Sequence, residues 1–371
     1  HSGYSVIGCA LSAAAAHQLQ SGSGIRSTTI AMLEINLRRH HDWFDPKTVL
    51  IVDEAGMVGT RALAPLIDQA AAAGAKVVLV GDTKQLPEID AGGVLRALEH
   101  RHPIVALTEN RRQQVPWERE ALDDYRAMRV KEAIARLRRH GSLVTGTNAD
   151  VVRQGMVDEW WRHRQGGRDA LMMAHRNVDV DDLNRRARAL LAEAHQLQGE
   201  TIVVSERPFQ IGDTVVCLRN DHQRKIRNGT VGEIVTIDHE NRSVLLDTTD
   251  GLRRLHQEYL DEGWLRHGYA VTVHKAQGLT CEHGLLLASD ETHFEVGYVG
   301  LSRGTLSNRL YAVSTETDAD LERHQRKGSE PERDPISLVT ESMTKSAAKD
   351  LAVTLAPANA PDPDADYGID L

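Results

Sequence analysis

The sequence has 371 residues, with 44 Lys and Arg against 53 Asp and Glu, which gives a formal net charge of −9. Hydrophobic residues make up 41% of it, enough to bury a core, and no apolar run approaches the roughly 18 residues of a membrane span, which excludes an integral membrane protein. The three cysteines, Cys9, Cys217 and Cys281, form no CxxC pair, which argues against a disulfide framework or zinc site and favours a cytoplasmic location.

The first part of the chain alternates short apolar runs with longer helical patterns. Apolar residues at i, i+3 and i+4 spacing predict a helix over Gly59–Ala73. The short runs are bounded by turn residues and predict buried parallel strands, which cover Tyr4–Ala10, Thr48–Val52, Lys76–Val80 and Ile104–Leu107. This alternation predicts an open α/β sheet, and we assign residues 1–115 to a first domain.

One of these strands ends in two carboxylates. Asp53 and Glu54 follow Thr48–Val52 directly, so they lie at the carboxyl end of a parallel strand, where such folds bind ligands. In a nucleotide hydrolase the Asp would hold Mg²⁺ and the Glu would activate the attacking water. The same string also fits a strand that ends in a solvated acidic turn.

The next strand ends in a second polar loop. Lys76–Val80 leads into Gly81-Asp82-Thr83-Lys84-Gln85-Leu86-Pro87, in which Gln85 could sense a γ-phosphate or orient water. A Gly-Asp turn alone is common in the loops between helices and strands. Two consecutive strand ends with this chemistry are less common by chance, and together they favour a phosphate site.

The pattern changes after residue 207. Residues 116–207 predict a helical linker and the start of a second domain, residues 208–262 a small inserted β-barrel, and residues 263–327 the rest of the second domain. The barrel strands are expected at Phe209–Leu218, Gly229–Asp238 and Ser243–Asp247. Parallel-strand character returns at Tyr269–Val273, Gly284–Ala288 and Leu310–Ser314.

The last stretch, residues 328–371, differs in composition from the rest. It holds five of the eleven prolines, and its nine acids against three bases account for two thirds of the net charge. We expect a mostly disordered acidic tail, with a short helix around Ser337–Leu355. The near-neutral body that precedes it does not argue against a nucleic-acid partner.

Five ordered segments resemble the motifs of superfamily 1 DNA helicases of the RecD-like group, and most of all the helicase part of MobF-type conjugative relaxase-helicases. They cover roughly residues 3–320. Motifs II to VI are matched in order by Asp53-Glu54-Ala55-Gly56, Gly81–Pro87, Leu107–Gln113, Tyr269–Gly278 and Tyr298–Arg303. Motif VI departs from the family in having Gly300 and Ser302 where Ala and Thr are usual. The resemblance implies two RecA-like P-loop NTPase domains with an SH3-like barrel inserted in the second.

The resemblance also implies roles for particular residues. Arg112 and Arg303 would meet the γ-phosphate, with Glu54 and Gln85 as their catalytic partners, although surface arginines are the alternative. Nucleotide and Mg²⁺ binding would fall to Asp53, Gly81, Asp82, Gln277 and Gly278. Thr28, His274 and Lys275 would line the DNA path, although His274 and Lys275 also fit solvated helix-cap residues.

A basic cluster in the inserted segment is a further candidate for DNA contact. Arg219, His222, Arg224, Lys225 and Arg227 fall in one expected loop and could track phosphates without reading bases. An ordinary solvated hairpin tip explains the cluster nearly as well. Trp160-Trp161, by contrast, is interpreted as a core or interdomain anchor and not as a base-stacking platform.

A P-loop of the form G-x-x-x-x-G-K-[ST] does not occur in the 371 residues. Gly22–Ser27 is glycine-rich but lacks the lysine and follows a helix. Since the chain opens on His1, we expect a chain shortened at its amino end, with weak ATP binding and almost no hydrolysis when expressed alone.

Two functions of different classes remain open at this point. The first is the ATP- and Mg²⁺-dependent motor of a DNA helicase or translocase, acting on single-stranded DNA in the 5′ to 3′ direction by resemblance. The second is a non-catalytic DNA-binding or interaction remnant of a conjugative relaxase-helicase. Conjugation or plasmid-transfer proteins are the expected partners of either.

Overall fold

The computed structural model describes residues 3–39, 43–88, 92–146, 148–221, 223–314 and 334–348. The described residues form two compact units, one up to Leu107 and the other from Thr108 to Ala347. Residues 108–115, which we expected in the first domain, therefore belong with the second unit. The physical reason is that the Gln113 side chain donates to the carbonyl oxygens of Ser302 and Gly304, at 3.1 and 2.9 Å.

The first unit contains a four-stranded parallel sheet in the order β2-β1-β3-β4. Its strands are β1 (Ser5–Ala10), β2 (Ser27–Thr29), β3 (Thr48–Val52) and β4 (Lys76–Leu79). Its helices are α1 (Ala13–Ser23), α2 (Ile30–Arg39), α3 (Thr60–Ala72) and α4 (Val94–Arg101), with a 3₁₀ turn at Ala55–Met57. Apolar side chains such as Leu33, Leu50 and Leu66 fill the space between helices and sheet. The parallel α/β sheet predicted for this region is confirmed.

The predicted strand at Ile104–Leu107 is wrong. These residues form no strand, and Val105 and Leu107 are 94% and 84% exposed. An apolar run becomes a parallel strand only where a neighbouring strand accepts its backbone hydrogen bonds. None of the described strands pairs with residues 104–107.

The second unit contains a five-stranded parallel sheet in the order β14-β6-β15-β16-β5. Its strands are β5 (Leu143–Thr145), β6 (Ala170–Ala174), β14 (Ala270–Thr272), β15 (Cys281–Ala288) and β16 (Gly304–Ala312). The helices of this unit that precede β16 are α5 (Pro116–Arg126), α6 (Val130–Arg139), α7 (Ala149–Gln165), α8 (Asn177–Glu193), α9 (Gln257–Asp261), α10 (Val273–Ala276) and α11 (Phe294–Leu301). Trp160 is buried in its core against the ring of Tyr269, as its interpretation as a core anchor predicted.

The part of the sequence between β6 and β14 forms a separate antiparallel sheet. Its order is β12-β11-β10-β9-β13, beside a two-stranded ribbon of β7 and β8. These strands are β7 (Gln198–Val204), β8 (Arg207–Ile211), β9 (Thr214–Cys217), β10 (Val231–Asp238), β11 (Ser243–Thr248), β12 (Gly251–Leu255) and β13 (Leu265–His267). The predicted strand Phe209–Leu218 is divided in two, because Gly212 takes a φ of +94° and turns the chain. The sheet has its own core, which includes Phe209, Ile234 and Leu246.

Part of the expected disordered tail is ordered. Helix α12 (Pro335–Met343) begins two residues before the predicted helix, with Asp334 as its N-cap. Val339 and Met343 are buried, and the Phe294 N–H donates to the Lys345 carbonyl at 2.9 Å. Contact with α11 therefore offsets the entropy of ordering this segment. The remainder of the predicted tail lies outside the described residues.

Candidate functional site

The acidic turn after β3 is sharply bent. The Asp53 N–H still donates to the Cys9 carbonyl at 2.8 Å, so the strand ladder continues to this residue. Glu54 then adopts left-handed backbone angles of φ 52° and ψ 39°, and its N–H donates to Asp53 Oδ1 at 3.0 Å. A non-glycine residue in this region costs about 1–3 kcal/mol, and such strain is concentrated at functional sites. Both carboxylates are half-buried at the carboxyl edge of the sheet.

The loop after β4 lies against this turn. The Ala55 N–H donates to the Val80 carbonyl at 2.8 Å, which joins the two segments directly. A Cβ atom at Gly81 would lie 3.0 Å from the Gly56 nitrogen and 3.1 Å from the Ala55 nitrogen, so only glycine permits this approach. Asp82 Oδ1 accepts the Lys84 N–H at 3.0 Å, and Gln85 donates its N–H to the Asp82 carbonyl. The structure thus joins the backbones of the two segments that carry Asp53-Glu54 and Gly81–Gln85.

Glu88 is a site candidate that the sequence analysis missed. It is only 5% exposed, and it lines a small polar pocket with Gly56, Thr83 and Arg96. Its Oε1 atom has no hydrogen-bond partner among the described residues. Its position one residue after the motif III match is the only signal in the sequence.

Arg112 lies in the second unit, on the surface. Its Nη1 donates to the Ser302 carbonyl at 3.1 Å, while the rest of the side chain is exposed. The neighbouring Gln113 amide holds the same carbonyl from inside the fold. The segments that resemble motifs IV and VI are therefore fixed to one another.

Arg303 lies inside the second unit. It is 2% exposed, and its guanidinium donates to the Val299 carbonyl at 2.9 Å, the Leu279 carbonyl at 3.3 Å and Ser302 Oγ at 2.7 Å. The Arg303 carbonyl in turn accepts the Cys281 N–H at 3.1 Å. Here the structure differs from the sequence-based expectation of an arginine that reaches out to a phosphate, because three internal acceptors hold the side chain.

The segment that resembles motif V follows β14. Thr272 caps α10, with its Oγ1 accepting the Lys275 N–H at 3.3 Å. His274 and Lys275 are exposed on this short helix, and desolvation together with Arg266 lowers the pKa of Lys275. Gln277 and Gly278, the latter with a φ of +82°, then lead to β15. This strand-to-helix turn places both basic side chains at the carboxyl edge of the second sheet.

Thr28 lies in β2 of the first unit and is half-buried. It is paired in register with Cys9 on β1. Since Asp53 donates its N–H to the carbonyl of that same Cys9, the predicted DNA residue and the acidic turn are joined through one β1 residue.

The basic loop of the antiparallel sheet is largely neutralised. Arg224 pairs with Asp221 at 2.7 Å, and Arg227 lies 3.8 Å from Asp250. Arg219 stacks over the Trp264 ring, with its Cζ 4.0 Å from the centroid. Lys225 is exposed, with a φ of +56°. His222 lies outside the described residues. These pairings favour the ordinary hairpin alternative over a DNA contact.

The described residues show neither a metal-binding cluster nor a membrane-spanning helix. They contain no group of three His, Cys, Asp or Glu side chains arranged for a metal ion. In the same residues no helix is long and apolar enough to cross a membrane.

Sequence comparison places this chain beside proteins of DNA transfer and DNA unwinding. A family model described as an AAA domain matches residues 1–148. A conjugal transfer protein TraA from Rhizobium radiobacter is 34% identical over 314 residues, which are 83% of this chain and 28% of that protein. The ATP-dependent RecD2 DNA helicase of Deinococcus radiodurans is 32% identical over 288 residues, covering 73% of this chain and 37% of that protein. The chain therefore spans well under half the length of these relatives.

Structure comparison finds the same fold in Pif1 helicases. A Bacteroides Pif1 helicase in complex with ADP-AlF3 and single-stranded DNA has a TM-score of 0.54 at 16% identity, covering 88% of this chain and 89% of that one. A second Bacteroides Pif1 structure, bound to single-stranded DNA, has a TM-score of 0.51 at 17% identity and covers 88% of each chain. At these identities the likeness concerns the fold.

Proposed function

This chain belongs to the RecD-like superfamily 1 helicases related to TraA, and from that premise we propose that it forms part of an ATP-dependent motor that moves along single-stranded DNA. The observation that carries the proposal is the junction of two strand ends in the first unit. The bond from Ala55 N–H to the Val80 carbonyl holds Asp53 and Glu54 beside the loop that contains Gln85. Nucleotide hydrolases need this combination of carboxylates and an amide at one sheet edge.

The acidic turn supplies groups that suit a bound Mg²⁺-nucleotide. Mg²⁺ is held in proteins by one or two carboxylates together with substrate phosphates and water, and Asp53 at the sheet edge fits that role. Glu54, aimed by its left-handed backbone, would accept a proton from the attacking water, and Gln85 would orient that water. Mg²⁺ when bound would neutralise charge on the phosphates.

Of the two arginines in the segments that resemble motifs IV and VI, Arg112 is exposed and Arg303 is buried. We therefore assign Arg112 the first contact with the γ-phosphate. Arg303 could serve as an arginine finger only after leaving the Val299 and Leu279 carbonyls. Gln277 and Gly278 would couple this region to DNA held by His274 and Lys275. The 5′ to 3′ direction follows from family resemblance and belongs to the same proposal.

The finer architecture is proposed on the same basis. We assign residues 208–262 to an SH3-like barrel, which the five-stranded antiparallel sheet supports. The two parallel sheets support two RecA-like domains. The TraA relatives, which are named conjugal transfer proteins, support a role beside other proteins of conjugation. The cytoplasm is the location that we propose from the sequence.

The second candidate function is a non-catalytic DNA-binding module. Its supporting observation is that the 371 residues contain no P-loop lysine to hold the β- and γ-phosphates. For the chain alone we therefore propose weak nucleotide binding and negligible turnover, whichever function the parent protein has.

The test begins with the 371-residue chain and a fluorescent dT20 oligonucleotide. Fluorescence anisotropy should show binding that weakens steeply with salt, because Lys and Arg contacts release counterions from the phosphates. Lys275→Ala should weaken binding, and Lys76→Ala serves as the matched control on β4. No binding of dT20 at low salt would overturn both candidate functions.

The motor is then separated from the non-catalytic module by ATP hydrolysis. This chain is joined at His1 to the segment that precedes the matched region of the Rhizobium radiobacter TraA protein. The motor predicts dT20-stimulated turnover that Glu54→Gln lowers about a hundredfold or more. Turnover indifferent to Glu54→Gln, or absent from a folded fusion, would favour the non-catalytic module.

A further inference from the structure

Three histidines meet at the carboxyl edge of the second sheet. His175 follows β6, His274 follows β14 in α10, and His293 follows β15 as the N-cap of α11. These strands are adjacent and parallel, so the three residues come from neighbouring strand ends although they are far apart in sequence. The His175 ring centroid lies 6.1 Å from that of His274 and 5.6 Å from that of His293. We call these three residues the histidine cluster.

Fixed charges around the cluster nearly cancel. From α8, Arg176 Nε binds Asp179 Oδ2 at 2.8 Å, and the same nitrogen lies 3.8 Å from Glu291 Oε2 in the segment before α11. Asp290 from that segment also acts on Arg176. From α10, Lys275 adds one positive charge beside His274. Arg153 on α7 also binds Asp179, at 3.1 Å, and Arg266 acts on Lys275. Four positive charges therefore lie near three carboxylates, and protonated histidines would add to that excess.

Two of the three histidines have lowered pKa values. Burial lowers the pKa of His175 first, and the adjacent His274 and His293 lower it further, opposed by Glu291. Desolvation also lowers the pKa of His274. The Nδ1 atom of His175 is buried and has no hydrogen-bond partner among the described residues. This nitrogen is therefore a hydrogen-bonding group that the described residues do not use.

We propose that the histidine cluster, with Lys275, binds the phosphodiester backbone of single-stranded DNA in its protonated form. The inference rests on the proposed DNA-binding function and deepens it by naming a proton-dependent contact. A phosphate placed between the rings accepts hydrogen bonds from imidazolium nitrogens and removes their mutual repulsion. Binding of DNA and uptake of protons therefore favour one another.

This linkage gives a measurable dependence on pH. DNA affinity should increase as the pH falls, since each proton taken up on binding steepens the slope of log Kd against pH by about one. At constant ionic strength we expect dT20 to bind about tenfold more tightly or better near pH 5.5 than near pH 7.5. The neutral cluster still permits the weaker binding that Lys275 supports.

The experiment measures dT20 affinity of the 371-residue chain by anisotropy across this pH range. His175→Gln and His293→Gln should each flatten the profile to within about threefold, since each removes one imidazole from the cluster. The matched control is His239→Gln, an exposed histidine in the turn after β10, which should keep the full wild-type profile. Circular dichroism confirms that each variant is folded, and the two cluster variants test the site independently.

An NMR titration of the imidazole nitrogens supplies a second readout. The proposal predicts that dT20 raises the pKa of His175, whereas ATP at the same phosphate concentration leaves it unchanged. If the chain binds dT20 with a profile that His175→Gln and His293→Gln do not alter, the cluster proposal is overturned and the proposed function stands. If it binds no dT20 at any pH, both fail.

Discussion

Arg303 offers the sharpest test of where the structure and the family resemblance differ. The substitution Arg303→Ala removes a guanidinium that is 2% exposed and donates to the carbonyls of Val299 and Leu279 and to Ser302 Oγ. Each buried acceptor left without its partner costs about 1–3 kcal/mol. Part of that loss is returned because a charged group no longer needs to be desolvated.

The net result is a free energy of unfolding lowered by about 3 kcal/mol, near the bottom of the range for breaking a buried charged network. For a unit of this size that corresponds to a melting temperature lowered by about 6–12 °C. Arg112→Ala is the matched control. Its single bond to the Ser302 carbonyl comes from an exposed side chain, so it should cost under about 1 kcal/mol.

The assay is thermal unfolding of both variants, followed by circular dichroism at pH 7.5. Differential scanning calorimetry assigns the shifted transition to one unit. An Arg303→Ala variant that melts within about 1 °C of wild type would refute the internal role, since so small a shift implies no buried bonds were lost. The arginine would then be free to act on a phosphate as the resemblance implies.

Three further predictions follow from strained or buried groups. Glu54→Gly should raise the free energy of unfolding by about 1 kcal/mol in urea, since glycine relieves the left-handed strain; an unchanged or lowered value would show the turn is unstrained. Asp213→Asn should lower the free energy of unfolding by about 3 kcal/mol, because this 0% exposed carboxylate accepts hydrogen bonds from Tyr269 Oη–H at 2.5 Å and from Arg188 Nε–H at 3.2 Å. A melting temperature equal to that of the wild type would contradict this network. Burial lowers the pKa of both His163 and His283 in the folded protein. Their contribution to the free energy of unfolding is therefore complete above about pH 6.5, and it is lost as the pH falls through their pKa values in the folded state. Melting temperatures between about pH 7.5 and 5 should therefore fall more in wild type than in His283→Gln, and parallel slopes would exclude this origin.

The strands of the first unit could be predicted because their local sequence pattern is sufficient to indicate a strand. Thr48–Val52 is β-branched, apolar and followed by Asp53, so pattern and termination agree, and the structure has the same bounds. Ile104–Leu107 has the same composition but no pairing partner among the described strands. Composition alone does not reveal whether a neighbour exists, so this prediction failed.

The sequence indicates which segments carry the candidate site residues, but it does not reveal the direction in which their side chains point. The sequence places Arg303 at the end of the segment that resembles motif VI, but only the packed structure reveals that carbonyls of α11 and of the segment before β15 bind its guanidinium. The histidine cluster was missed for a related reason, since its members follow three strands that are neighbours in the sheet and distant in the chain. Helix α12, by contrast, was expected around Ser337–Leu355, and the structure has it at Pro335–Met343.

The proposed motor is tested most directly by ATP hydrolysis in the fusion of this chain to the preceding TraA segment, with and without dT20. We predict that dT20 increases turnover and that Glu54→Gln abolishes the increase, while Glu132→Gln, an exposed residue on α6, leaves it unchanged. A folded fusion that hydrolyses ATP at the same rate with Glu54 and with Gln at position 54 would contradict the assignment of this turn to catalysis, and with it the proposed motor.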